Sequence, residues 1–374
     1  MNDSIRVVIA GGGTGGHLYP GLAVAEALAP STSVLFVGTP NGLEARVVPR
    51  LGFSFLPVRS RHVSSRNPFK NALSLIEVAR GVGQSFGILR KFRPDIVVGT
   101  GGYASGPAIV AARIAGIPAV IMEQNVLPGK ATKYLAPFAG RVLASFAETV
   151  RYLPGRSKVD VPGNPVRKEI LRASRDEALA RFGMDGIRKV ILVSGASQGS
   201  QRINRTVLEM VQRARELRNW QILHLTGEKL YCEVDEERRK LSLLDSEIRY
   251  EIMPYCDHMG DAYAVADIVL SRAGATTCAE LTARGIPAVL IPYPHHRDRH
   301  QEHNARTLER HGAAVVLLED SLSGEVLLNT LSSLLNDADR LERMAFASRS
   351  LGKPQASEEI VEILYEIIRC RRKD

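Results

Sequence analysis

The residues best able to do chemistry in this 374-residue chain sit in short glycine-rich segments. Gly11 to His17 reads G-G-G-T-G-G-H, five glycines closing on a histidine. Glycines let the backbone approach a ligand closely, and a helix that follows offers unpaired N–H groups to phosphate or sugar oxygens. An imidazole beside them titrates near neutrality. Gly99-Thr100-Gly101-Gly102-Tyr103 forms a second cluster, and Glu123-Gln124-Asn125 adds a polar third. Gly195-Ala196-Ser197-Gln198-Gly199 is a fourth, able to contact a diphosphate through backbone amides and a hydroxyl. From Ser271 the chain reads S-R-A-G-A-T-T-C-A-E, small and hydroxyl residues at the start of a helix, again a seat for phosphates. Glu280, one turn in, can accept from both ribose hydroxyls or simply interact with the helix dipole.

Three rival chemistries fit these residues less well. Gly11, Gly13 and Gly16 satisfy GxGxxG, but the acid that would hold a ribose at the end of the second strand is missing, since that strand ends Val37-Gly38-Thr39. Gly195 to Gly199 spells GxSxG, yet a hydrolase triad also needs an acid, a histidine and an oxyanion loop after later strands. Four of the nine histidines fall between His295 and His303, without the HExxH spacing of a metal site, so a polar helix start that reads sugar hydroxyls is preferred.

The elements that must carry these loops alternate. Apolar strands are expected over Arg6 to Ala10, Ser33 to Gly38, Asp95 to Gly99 and Ala119 to Met122, with helices over Leu18 to Ala29 and Pro107 to Ala115. The pattern restarts at Lys189 to Ser194 and continues through Gln221 to Thr226, Ile268 to Ser271, Ala288 to Ile291 and Ala314 to Leu317, with a helix from about Asn204. Strands apolar throughout, alternating with helices, indicate parallel sheets covered on both faces. Two such series, each opened by a glycine-rich turn, predict two Rossmann-like domains whose polar loops gather at the C-terminal sheet edges. Val161-Pro162-Gly163-Asn164-Pro165 reads as the linker. Ser357 to Cys370 reads as an amphipathic helix able to cap either domain.

Composition narrows the class. Hydrophobic residues at 45% and charged residues at 24% describe a folded protein. No apolar run is long enough to cross a bilayer, and Met1 to Ser4 leads directly into a strand, so neither a signal peptide nor export is expected. Four scattered cysteines suggest reduced thiols and no zinc. The net charge is +9, and between Arg59 and Arg93 eight Lys/Arg face one acid, Glu77. Such a stretch suits an anionic membrane, a phosphorylated substrate or nucleic acid. One Trp, 6% aromatics and no nucleic-acid module speak against the last.

Seven segments in order, GGGTGGH, GTGGYASGP, EQN, VPGNPVR, SGASQGSQRIN, SRAGATTCAE and DRHQEHNA, resemble the MurG family of bacterial peptidoglycan synthesis. The resemblance covers residue 5 to about 310. It implies an α/β GT-B fold: two Rossmann-like domains facing each other across a cleft, an acceptor domain over 1–163 and a UDP-GlcNAc domain over 164–345. The tail, 357–374, is expected to pack back on the first domain. The activity implied is inverting transfer of GlcNAc from UDP-GlcNAc to the C4 hydroxyl of MurNAc in undecaprenyl-diphosphoryl-MurNAc-pentapeptide (lipid I), giving lipid II. The alternative is another UDP-sugar-dependent GT-B transferase that makes a glycolipid.

Carried over by match, the donor positions are Thr14, Gly15, Gly16, Asn125, Arg167 and Ser197. Cys256 stands where the family has an apolar residue flanking the uracil. Ala275, Thr276, Thr277, Cys278, Ala279 and Glu280 would hold phosphates and ribose, and Gln301 the GlcNAc hydroxyls. Gln301 is taken rather than His300 because it keeps the Q-x-x-N spacing to Asn304; Ala279 departs from the serine frequent in relatives. His17 is the candidate base, with a backbone hydrogen bond as its plainer role. Helix N-termini, Arg167 and the Ser197 loop would stabilise the leaving diphosphate without metal or cofactor. The implied partners are UDP-GlcNAc, lipid I, an anionic membrane surface and other cell-wall synthesis proteins, with no nucleic acid. The implied location is peripheral, on the cytoplasmic face of the bacterial inner membrane. Phe69, Leu73 and Ile76 form one apolar stripe and Leu75, Val78, Val82, Phe86 and Leu89 another, so part of one is expected to be exposed.

Overall fold

The structure, a computed structural model, describes residues 4–60, 68–102, 104–155, 157–196, 198–213, 217–241, 248–295 and 298–372, with side chains in the helix at 68–92 given from residue 76 onward. Tyr103, Ser197 and the Phe69, Leu73 and Leu75 side chains, named above, lie outside the described residues, as do Arg66 and the Lys70 side chain of the cation-rich stretch. The chain divides into two compact units, one of Met1–Arg167 with Gln355–Asp374 and one of Lys168–Pro354.

The first unit holds seven parallel strands in the order β3-β2-β1-β4-β5-β6-β7. These are β1 (Arg6–Gly11), β2 (Ser33–Gly38), β3 (Ser54–Pro57), β4 (Ile96–Gly101), β5 (Ala119–Glu123), β6 (Arg141–Ala144) and β7 (Val159–Asp160). Successive side chains of a strand face opposite sides. Val7 and Ile9 therefore pack with Leu18, Leu22, Ile360, Leu364 and Ile368 on one face, while Val8 and Ala10 pack with Leu89, Ala108 and Ile109 on the other. The tail helix Ala356–Arg371 is thus part of this core. Tyr365 Oη accepts from the Ala29 N–H at 3.2 Å, and Glu366 pairs with Arg141 at 3.1 Å. In the helix Pro68–Phe92, Leu89 is buried and Val82 and Phe86 lean on the core, whereas Ile76 is 49% exposed.

The second unit holds six parallel strands in the order β10-β9-β8-β11-β12-β13. They are β8 (Lys189–Ser194), β9 (Trp220–Leu225), β10 (Arg249–Met253), β11 (Ile268–Ser271), β12 (Ala288–Leu290) and β13 (Ala314–Val316). Ile191, Val193 and Ile222 pack beneath Ile203, Val207 and Met210 of helix Gln201–Val211 and Leu327 and Leu331 of helix Gly324–Leu335. In each unit strand order reverses beside the first strand, between β1 and β4 and between β8 and β11. That reversal opens the crevice where ligands of doubly wound sheets bind. The β1–β4 register slips between Ala10 and Gly11, which sets Gly11 opposite Gly101 and starts the first glycine loop.

Candidate active site

In the first unit the loops after β1, β4 and β5 meet. Helix Gly15–Ala27 starts immediately after Thr14, whose carbonyl accepts from the His17 and Leu18 N–H groups at 3.2 and 3.1 Å. The His17 ring then lies against the β4 loop. A Cβ at Gly101, where φ is +102°, would overlap the imidazole, so only glycine admits it there. The Gln124 amide donates to the Thr100 carbonyl at 2.9 Å and ties the third loop to the second. His17 Nδ1 is buried without a hydrogen-bond partner among the described residues. Burial lowers the His17 pKa below the ordinary 6.5, and Glu123, the Gln124 side chain, the Thr100 backbone and Glu44, all close to the ring, offset only part of that. A neutral imidazole at neutral pH is one that can take a proton.

Two buried carboxylates frame this histidine. Glu123 ends β5 and accepts from the Asn125 N–H at 3.0 Å, the Asn125 amide at 3.3 Å, the Gly129 N–H at 3.0 Å and the Thr132 hydroxyl. Asn125 is thereby oriented by its neighbour, and its own carbonyl accepts from Thr149. Glu44 accepts from the Gly13 N–H at 2.7 Å through one oxygen and from the Thr39 N–H and hydroxyl at 2.8 and 2.7 Å through the other. The strand-end acid missing from the β2 sequence is therefore supplied five residues later, by the first turn of helix Leu43–Arg50. Both its oxygens are occupied by the protein, so it is not presented to a ribose. Thr14 and Gly16 are exposed, Gly15 is half-buried, and the Arg167 guanidinium stacks 4.5 Å from the Tyr19 ring centre, one turn beyond the glycine loop.

In the second unit the loops after β8, β11 and β12 meet around an arginine. Arg272 is buried. It donates to the Ile291 and Pro292 carbonyls at 3.2 Å each, to Glu319 at 2.6 Å and to the Ser200 hydroxyl at 2.8 Å, and it lies over the Tyr293 ring. Ser200 also caps helix Gln201–Val211, so the Gly195 to Gly199 loop and the Ser271 turn are held together. Helix Ala275–Arg284 follows that turn. Along it Ala275, Cys278 and Glu280 are buried, whereas Thr276, Thr277 and Ala279 are partly open; Thr276 Oγ1 lacks a hydrogen-bond partner among the described residues. Burial pushes the Cys278 thiol up to about 12, leaving it protonated and inert. Tyr263 donates to Glu280 at 2.9 Å, which engages one carboxylate oxygen and ties this helix to Met259–Val265, just past the buried Cys256. Gln301 accepts from the Tyr293 N–H at 2.9 Å, and Asn304 donates to the Ala273 carbonyl at 3.2 Å.

Comparison with known proteins agrees with both halves. Residues 7–144 match the Glycosyltransferase family 28 N-terminal domain and residues 190–360 its C-terminal domain. A relative from Halothermothrix orenii, named UDP-N-acetylglucosamine--N-acetylmuramyl-(pentapeptide) pyrophosphoryl-undecaprenol N-acetylglucosamine transferase, is 43% identical over 96% of this chain and 98% of its own length. The chain belongs to this family. A relative of the same name from Thermodesulfovibrio yellowstonii is 42% identical over 98% of this chain and all of its own length. The crystal structure of Acinetobacter baumannii MurG superimposes with a TM-score of 0.76 at 27% identity, over 97% of this chain and 99% of that one. The family 28 matches contain all six loops described above, whereas Arg167 falls between them.

The structure thus gathers Thr14, Gly15, Gly16, His17 and Asn125 in one unit, and Ala275 to Glu280 and Gln301 in the other. Residue types and spacing missed Glu44, Arg272 and Tyr263 as organisers. For Glu44 the only signal was an acid in the first turn of a helix that follows a glycine, which is common. Arg272 was read only as one letter of the turn it holds.

Proposed function

We infer that the chain moves N-acetylglucosamine from UDP-N-acetylglucosamine to the C4 hydroxyl of the N-acetylmuramoyl residue of undecaprenyl-diphosphoryl-N-acetylmuramoyl-pentapeptide. The observation that carries this is the 43% identity, over 96% of the chain, to a relative named for that transfer. The acceptor oxygen forms a bond to the anomeric carbon while the bond from that carbon to the diphosphate breaks. UDP leaves with the electron pair, and the hydroxyl proton passes to His17. Inversion follows from one displacement. Thr276, Thr277 and the N-terminal N–H groups of helix Ala275–Arg284 hold the diphosphate, the Glu280 carboxylate holds ribose, and the Gln301 side-chain amide reads the sugar. Thr14, Gly15, Gly16, Asn125, Arg167, Ser197 and Cys256 complete the donor contacts, and no metal is required of any of them. Radiolabelled UDP-N-acetylglucosamine with a short-chain acceptor analogue should give a product one N-acetylhexosamine heavier, with one UDP released. Transfer only to a different glycolipid acceptor, or UDP release without a mass gain, contradicts the assignment.

The same reading places the work at the cytoplasmic face of a membrane, where the acceptor's lipid is anchored. On this reading docking is peripheral; no helix among the described residues is long and apolar enough to cross a bilayer. The cation-rich stretch from Arg59 to Arg93, with Ile76 exposed on its helix, supports this side as the docking face. Each cation near an anionic leaflet contributes about 1 kcal/mol. Replacing Arg66, Lys70, Arg80 and Arg90 with Gln should release the protein from anionic vesicles and spare activity on a water-soluble acceptor. Unchanged sedimentation with vesicles removes this docking face.

A further inference from the structure

Glu44 is 1% exposed, and no cation pairs with it among the described residues. Burying a carboxylate costs several kcal/mol unless hydrogen bonds replace its water. Here the replacement comes from three donors, and none belongs to the helix that carries Glu44: the Gly13 N–H, the Thr39 N–H and the Thr39 hydroxyl. Room for the side chain is made by Gly12, Gly38 and Gly42, at each of which a Cβ would overlap it. On its other side the same loop rests on β4, since a Cβ at Gly102 would overlap the Gly12 carbonyl and one at Gly101 the His17 ring. The G-G-G-T-G-G-H loop is therefore clamped, with Glu44 on one side and Gly101-Gly102 on the other. A glycine-rich loop has the most backbone freedom to lose, and a clamp of this kind fixes it before any ligand arrives.

We propose that Glu44 is a positioning residue of the transfer reaction: its carboxylate locks the glycine loop through Gly13 and Thr39 and so holds His17 where the acceptor proton must go. This rests on the reading of His17 as the proton acceptor. Its charge also reaches the imidazole, together with that of Glu123 at the end of β5, while Gln124 and the Thr100 backbone face the ring from the other two loops. Removing the Glu44 charge should lower the affinity of His17 for a proton still further, and removing an acceptor oxygen should free the loop.

Glu44→Gln tests both effects, because it keeps the shape but loses the charge and one acceptor. With UDP-N-acetylglucosamine and the soluble acceptor analogue, kcat should fall roughly 10²-fold, the scale of a displaced catalytic group, with KM for the donor little changed. The acid limb of kcat/KM should move to lower pH. NMR titration of the His17 ring Cε1–H, assigned with His17→Gln, should show the same downward shift without any turnover. Glu44→Asp should recover part of kcat. Should Glu44→Gln fail to fold, Thr39→Val, which removes one donor to the same oxygen, should show a smaller kcat loss in the same direction. Unchanged kcat and His17 titration in Glu44→Gln overturn the proposal, as does a kcat loss in Glu44→Gln with the titration unmoved; where Thr39→Val is used, unchanged kcat overturns it. Absence of sugar transfer by the parent enzyme would instead contradict the transfer reading, and the NMR shift would still decide whether Glu44 controls His17.

Discussion

The two units place their loops at the same edge of the same kind of sheet, yet stabilise them with opposite charge. In the first, buried carboxylates accept from the backbone: Glu44 holds the loop after β1 and Glu123 the loop after β5. In the second, a buried guanidinium donates to backbone carbonyls and to Ser200, joining the loops after β8, β11 and β12. Negative charge beside His17 favours an imidazole that gains a proton. Positive charge and a helix N-terminus suit a diphosphate that gains electrons. On the proposed division of labour, each buried organiser would match in sign the charge change at its half of the transfer.

Breaking the organiser of the second unit should have the largest effect. Arg272→Leu leaves the partly buried Glu319 without this arginine and takes a donor from three further oxygens, those of Ser200, Ile291 and Pro292, and should cost about 3 kcal/mol in denaturant unfolding of the chain. A cost below about 1 kcal/mol would show that Arg272 is not what holds these loops. Glu280→Ala should weaken UDP binding by about 1.5–3 kcal/mol in calorimetry with the fold intact, and unchanged affinity defeats the ribose assignment. The pH dependence of stability probes the second unit too, with His17 of the first contributing in the same direction. His224 is fully buried between Tyr250 at 2.8 Å and Asn204 at 3.0 Å, and burial lowers its pKa from 6.5 to about 3. Above 6.5 it is neutral folded or unfolded. As pH falls from 6.5 toward 3 only the unfolded chain takes the proton, so stability should drop by up to about 1.4 kcal/mol per unit, read by thermal melts across that range. Tyr263→Phe should give the smallest change: loss of one hydrogen bond to Glu280, about 1 kcal/mol of stability, with UDP affinity reduced less than in Glu280→Ala.

Much of the fold was legible because its inner strands are apolar throughout. Arg6–Gly11, Lys189–Ser194 and Ile268–Ser271 lie within a residue of where the sequence puts them. Four strands escaped: Ser54–Pro57, Val159–Asp160 and Arg249–Met253 close their sheets, where half-exposure removes the hydrophobic signal, and Arg141–Ala144, one place in from an edge, is buried but only four residues long. The helix after the first glycine loop begins at Gly15 rather than Leu18, because the loop glycines themselves adopt its first turn despite low helix propensity. At the site, the glycine loops and His17 could be read locally. The groups that hold them could not, since Glu44 meets Gly13 across 31 residues and Arg272 meets Ser200 across 72. Such pairings are fixed by strand order, and a single sequence carries no local trace of them.

The division of labour between the units is tested most directly by one variant measured in two ways. His17→Ala should lower turnover on the acceptor analogue by roughly 10²–10⁴-fold, while calorimetry shows UDP-N-acetylglucosamine bound as tightly as by the parent. In the parent, kcat/KM should decline on the acid side through a value below 6.5, since burial lowers the His17 pKa and the neutral ring is the active form. Retained turnover in His17→Ala, or turnover lost together with donor affinity, would contradict the assignment of proton transfer to the first unit.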